Sequence, residues 1–83
     1  MISISKACEL ATAWRNEPYI SDITDIGHSF VISTLSSEGE SADVSPCMVN
    51  KQSGTIDICF FPDHFEEITK GKDIPIPEEY QFH

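Results

Sequence analysis

The chain has 83 residues, 14 Asp and Glu against 5 Lys and Arg, a net charge of −9, and 40% hydrophobic residues. That length holds one domain, residues 1–83, and the apolar content is too high for a disordered chain. So few basic residues cannot displace counterions from nucleic acid or an anionic bilayer, so neither is an expected partner. No run approaches the ~18–20 consecutive apolar residues of a membrane span, and the first six residues lack the order of a secretory signal. A cytoplasmic location is the expectation.

Ile4, Ala7, Cys8, Ala11 and Trp14 recur at the spacing of one helical face and predict a helix over 4–16. Ser3 or Ser5 can cap its start, Pro18 marks its latest end, and Trp14 is assigned to the core with the phenylalanines. Tyr19, Ile20, Ile23 and Ile26 then form a β-rich run, and Gly27 permits a turn or bulge. His28 to Leu35 is β-branched and aromatic, and reads as a largely buried strand before the polar turn 36–40. The stretch Ser41 to Val49 contains Pro46, so this strand is an edge, is bulged, or begins properly at Cys47.

A hairpin follows, in which Lys51-Gln52-Ser53-Gly54 connects two strands and Gly54 supplies positive φ at the exit. Ile56, Ile58 and Phe60 alternate with Asp57 and Cys59, which assigns one face of the second strand to the core. A short helix is expected from Pro62 to Glu66 onward, with Asp63 as cap and Glu66 closing a capping box. Its inward face is assigned to Phe65, Ile68 and Thr69, and Lys70-Gly71 is its stop. Alternate prolines make Ile74-Pro75-Ile76-Pro77 extended, and the tail either docks through Tyr80 and Phe82 or frays. The expected fold is α+β: an N-terminal helix packed on an antiparallel sheet of about four strands, with a short C-terminal helix.

No motif for chemistry is present. Cys8, Cys47 and Cys59 read as reduced, partly buried small hydrophobes, with a Cys47–Cys59 bridge as the lesser alternative. His28, His64 and His83 have no zinc-like spacing, and helix capping accounts for the cluster Asp63, His64, Glu66 and Glu67 without a metal. There is no G-x-S-x-G elbow and no glycine-rich phosphate loop, so the chain reads as non-catalytic, with no cofactor. Its acidic sets are either a solvated face or a negative patch that captures a basic protein. Glu38, Glu40, Asp43, Asp57, Asp63, Glu66 and Glu67 are the candidate partner-binding residues.

The leading helix Ile4 to Trp14, the meander with the phrase Val49-Asn50-Lys51-Gln52-Ser53-Gly54-Thr55-Ile56, and the acidic second helix carry a resemblance. Together they resemble small bacterial immunity-protein domains of polymorphic toxin and contact-dependent inhibition systems. The hairpin phrase is also similar to PepSY-like domains. The resemblance implies a non-catalytic inhibitor that binds one cognate toxin, in many cases a nuclease with a basic cleft. It carries over no binding residue by position. On this reading, acidic side chains from the Glu38–Asp43 turn and the Asp57–Glu67 segment mimic phosphates, and apolar anchors supply affinity. The alternative is a homo-oligomeric structural or regulatory domain, such as a homodimer joined through an unpaired sheet edge.

Overall fold

Serine 3 sets where the first helix starts. Its Oγ accepts a hydrogen bond from the Lys6 N–H at 3.1 Å, which satisfies one of the orphan donors of helix α1 (Ile4–Arg15). Asn16 ends the helix in the left-handed region at φ 56°, where its N–H meets the last free carbonyls. The computed structural model describes residues 1–41, 45–59 and 61–82. Ala7, Cys8 and Ala11 are wholly buried, and their small side chains let α1 lie close on the sheet. Trp14 departs from expectation: it is 45% exposed, with the Arg15 guanidinium 4.9 Å from its ring centre. At about 100° per residue, Trp14 falls on the margin of the stripe formed by Ile4, Cys8 and Ala11.

Five antiparallel strands follow, one more than expected: β1 (Tyr19–Asp25), β2 (Ser29–Leu35), β3 (Cys47–Asn50), β4 (Ile56–Ile58) and β5 (Lys72–Asp73). Their order is β4-β3-β2-β1-β5. The register of β1 on β2 shifts between Ile20 and Asp22. That irregularity is what lets Ile20 and Ile23, three residues apart, both be buried on a pleat whose period is two. Pro46 does not mark an edge. β3 starts one residue after it and runs between β4 and β2, so the proline's missing donor falls just outside the ladder. Ala42, Asp43 and Val44, within the expected strand, lie outside the described residues.

One face of the sheet carries Ile23, Phe30, Ile32, Cys47 and Val49, packed with Ala7, Cys8 and Ala11 of α1. Alternation sends the row Thr24, Val31, Met48 and Asp57 to the other face. Helix α2 (Phe61–Lys70) connects edge strand β4 to edge strand β5. Gly71, just after it, sits close enough to that face for a Cβ to come within 2.6 Å of Thr24 Cγ2. The hairpin turn matches its sequence signal, with Gly54 at φ +74°.

Three expectations need correction. α2 begins at Phe61, so Asp63 lies inside the first turn and is not the cap. There it complements the helix dipole instead of closing a box with Glu66. The helix turns His64, Glu67, Ile68 and Gly71 inward at helical spacing, whereas Phe65 is 54% exposed and Thr69 is exposed. Ile58, expected in the core, is 52% exposed because β4 is an edge strand with no neighbour beyond it among the described residues. Phe60 lies outside the described residues.

The proline-spaced stretch after β5 is neither helix nor strand and starts with the Ile74 N–H bonded to the Ile23 carbonyl. Ile74, Ile76 and Tyr80 pack against the core, and Phe82 meets Tyr19 edge-on at 5.3 Å. Both aromatics named for docking the tail therefore make contacts, although Phe82 keeps 47% exposure.

Candidate functional site

Of the acidic residues singled out in the sequence, those among the described residues fall on three separate parts of the fold. Glu38 and Glu40 are exposed on the connection after β2, where both N–H groups donate to Ser36 Oγ. Asp43 lies outside the described residues. Asp57 is exposed on β4, and Asp63 and Glu66 are exposed on α2, which starts three residues after β4 ends. The exposed Ile58 and Phe65 stand among these three acids in the chain. Asp57 and Ile58, adjacent on edge strand β4, point to opposite sides of the sheet, and Asp63, Phe65 and Glu66 are exposed on α2, so the grouping of these five residues is one of chain segment.

Glu67 is placed differently. Its Oε1 lies 2.9 Å from His64 Nδ1, one helical turn away, and its Oε2 lies 2.8 Å from His28 Nε2 at the start of β2. His28 Nδ1 in turn lies 2.8 Å from Ser29 Oγ. These bonds hold Glu67 below the usual carboxylate range, with the His64 contact the larger cause and His28 the second. The chain Ser29–His28–Glu67 has the connectivity of a nucleophile, base and orienting carboxylate. Ser29 is only 1% exposed, however, so its hydroxyl presents almost no surface to a substrate. The arrangement instead ties α2 to the β1–β2 turn.

The thiols are equally ill suited to attack. Cys8, Cys47 and Cys59 are free and wholly buried. Burial pushes Cys8 and Cys47 up to about 11 and raises Cys59 as well, so none is a thiolate near neutrality. Among the described residues no three His, Cys, Asp or Glu side chains are grouped as a metal would require, and no helix is long and apolar enough to cross a membrane.

A second feature has no counterpart in the sequence reading. A cleft of about 380 Å³ opens between the β1–β2 turn and the end of α2, lined by Asp25, Gly27, Lys51, Glu67, Lys70 and Lys72 among others. Lys51 Nζ is 2.7 Å from Asp25 Oδ1, and the Gly27 N–H donates to the same oxygen at 2.8 Å. The Lys51 bond, then that of Gly27, lowers the Asp25 carboxyl below its ordinary value. The His64–Glu67 spacing was visible in the sequence, but the His28–Glu67 and Lys51–Asp25 pairs join residues 39 and 26 apart and carried no local signal.

Asp25 and Glu67 have a consequence for acid stability. Both carboxyls titrate lower in the folded chain than their ordinary values of 3.8 and 4.5. Such groups stabilise the fold fully above the unfolded values, and the contribution is lost as pH falls through the folded ones. Urea unfolding midpoints are therefore expected to hold down to about pH 5 and then to decline toward pH 3. In Glu67→Gln and Asp25→Asn the decline should be shallower. Parallel curves for the parent and both variants would show that neither carboxyl contributes.

No protein-family model, curated protein or solved structure matches this chain.

Proposed function

We propose that this chain is a non-catalytic immunity protein that neutralises a cognate toxin by occluding a basic surface with its β4–α2 face. One observation carries the reading. Ile58 and Phe65 are about half exposed, and Asp57, Asp63 and Glu66 surround them in the chain. Binding interfaces concentrate affinity in a few apolar or aromatic anchors inside a polar rim, and this segment has both parts. A net charge of −9 adds steering toward a basic partner, a nuclease cleft being one such surface. The edge strands are only three and two residues long, a device that limits strand pairing between copies. That favours a foreign partner over a homodimer joined through the sheet.

The test is a pair of variants measured against the partner recovered from the native host. Asp57→Lys, Asp63→Lys and Glu66→Lys combined should slow association and reduce its salt dependence, since these acids supply the steering. Phe65→Ala should speed dissociation, at a cost of about 2 kcal/mol or more if it is an anchor. All four side chains are exposed, so the fold is retained in each variant. Unchanged kinetics in both would remove the β4–α2 face from the interface. A loss confined to Glu38→Lys with Glu40→Lys would move it to the turn after β2.

A further inference from the structure

We propose that the cleft between the β1–β2 turn and the end of α2 binds a small phosphate-bearing anion. Lys51, Lys70 and Lys72, three of the chain's five basic residues, line this one cavity in a protein of net charge −9. Two carboxylates share the lining, but both are engaged. Asp25 is held by Lys51 and the Gly27 N–H, and the two oxygens of Glu67 are taken by His64 and His28. The side chains of Lys70 and Lys72 are exposed and form no hydrogen bond or ion pair among the described residues. Two further positive charges therefore line the cavity from either side of Gly71, that of Lys72 also acting on the Asp25 carboxyl.

Two opposing fields are smaller than this local excess. Three ammonium groups against two carboxylates leave the lining an excess of one positive charge, and the free carbonyls at the end of α2 amount to roughly half a negative charge. The acidic residues elsewhere are screened beyond about 8 Å at physiological ionic strength. The cavity volume of about 380 Å³ suits a small ligand, larger than a bare ion. Ile26 adds an apolar wall for the carbon part of a phosphate ester. Lysine binds phosphate as a point charge, and a dianion makes fuller use of two lysines than a monocarboxylate does. Gly27, at φ +99° with nothing within 4 Å of its Cβ position, keeps the mouth open. The site is distinct from the β4–α2 face and stands or falls independently of the toxin reading.

The experiment is a titration of the whole chain, followed by amide NMR at constant ionic strength, with inorganic phosphate, glycerol phosphate and acetate. Saturable shifts at Gly27, Lys51, Gly71 and Lys72, larger for the phosphates than for acetate, are expected. Lys70→Gln combined with Lys72→Gln should weaken binding by roughly tenfold or more, while Lys6→Gln, outside the cleft, should leave it unchanged. Unchanged amide positions on α1 and β3 would verify that the double variant is folded. Linear shifts, equal shifts with acetate, or full binding by the double variant would each overturn the proposal. So would sedimentation with phosphatidic-acid vesicles in the absence of any shift with the free esters, since the headgroup would then act only within a membrane.

Discussion

Ile32→Ala is expected to lower the unfolding free energy by about 2–5 kcal/mol, the range for truncating a large aliphatic residue in a core. Ile32 is 1% exposed on the central strand, in register with Ile23 on one side and Cys47 on the other. Its cluster includes Ala7, Cys8 and Ala11 of α1, residues too small to swing into the space left behind. A domain of this size has a total stability of only about 4–12 kcal/mol at typical per-residue values, so one substitution removes a large share. The melting temperature should fall by about 8 °C or more, taking about 4–8 °C per kcal/mol. Ile58→Ala provides the contrast within the same sheet, since Ile58 is 52% exposed on an edge. Its effect should stay within about 0.5 kcal/mol, as for most surface substitutions. Equal losses at the two positions, read from urea or thermal unfolding, would mean that the core is not centred on β2.

Gly71→Ala is the second large effect, and its sign is a contest between two terms. Replacing glycine by alanine where the backbone is unstrained stabilises by about 0.4–1 kcal/mol, through the unfolded chain. Here the added Cβ would lie 2.6 Å from Thr24 Cγ2, 2.9 Å from the Asp25 carbonyl oxygen and 3.2 Å from that of Glu67. Thr24 is 5% exposed and belongs to the β1 ladder, so it has little room to retreat. Overpacking of this kind costs about 1–3 kcal/mol, which exceeds the gain. The loss should be local. Amide exchange should quicken at Ile74, whose N–H bonds the Ile23 carbonyl, while α1 and the β1–β3 amides keep their protection. A rise in stability with unchanged exchange would show that α2 does not approach β1 so closely.

What the sequence made legible was local. The cap at Ser3, the helix end before Pro18, the turn at Gly54 and the prolines at 75 and 77 each act through their own backbone geometry, and each was found where its signal lay. The overall class followed from that, as an α+β chain with a helix at each side of a meander. What failed depended on neighbours far along the chain. Of the three readings Pro46 left open, the sequence could not choose the one that holds, a strand beginning at Cys47, until β4 is seen to cover β3. Ile58 alternates like a core residue, yet position on the outer strand exposes it. β5 is two residues long, too short for a period-two pattern to register. In α2 the spacing of Phe65 and Ile68 suggested the buried side, but Ile68 is shared between two possible faces. The polar side chains His64 and Glu67 take the inner one because they have bonds to make there. The candidate site was legible as acidic residues and not as a surface, since charge is written in the sequence and convergence is not.

The most direct measurement of the inhibitor reading is recovery of tagged protein from its native host, washed at low and then at high salt, with coexpression of whatever is retained. The account predicts one basic protein that is lost at high salt, whose toxicity on expression is relieved by this chain and not by the Asp57→Lys, Asp63→Lys, Glu66→Lys variant. Recovery of the chain alone at both salt levels, as a concentration-dependent dimer, would contradict it and leave the acidic face as solvated surface.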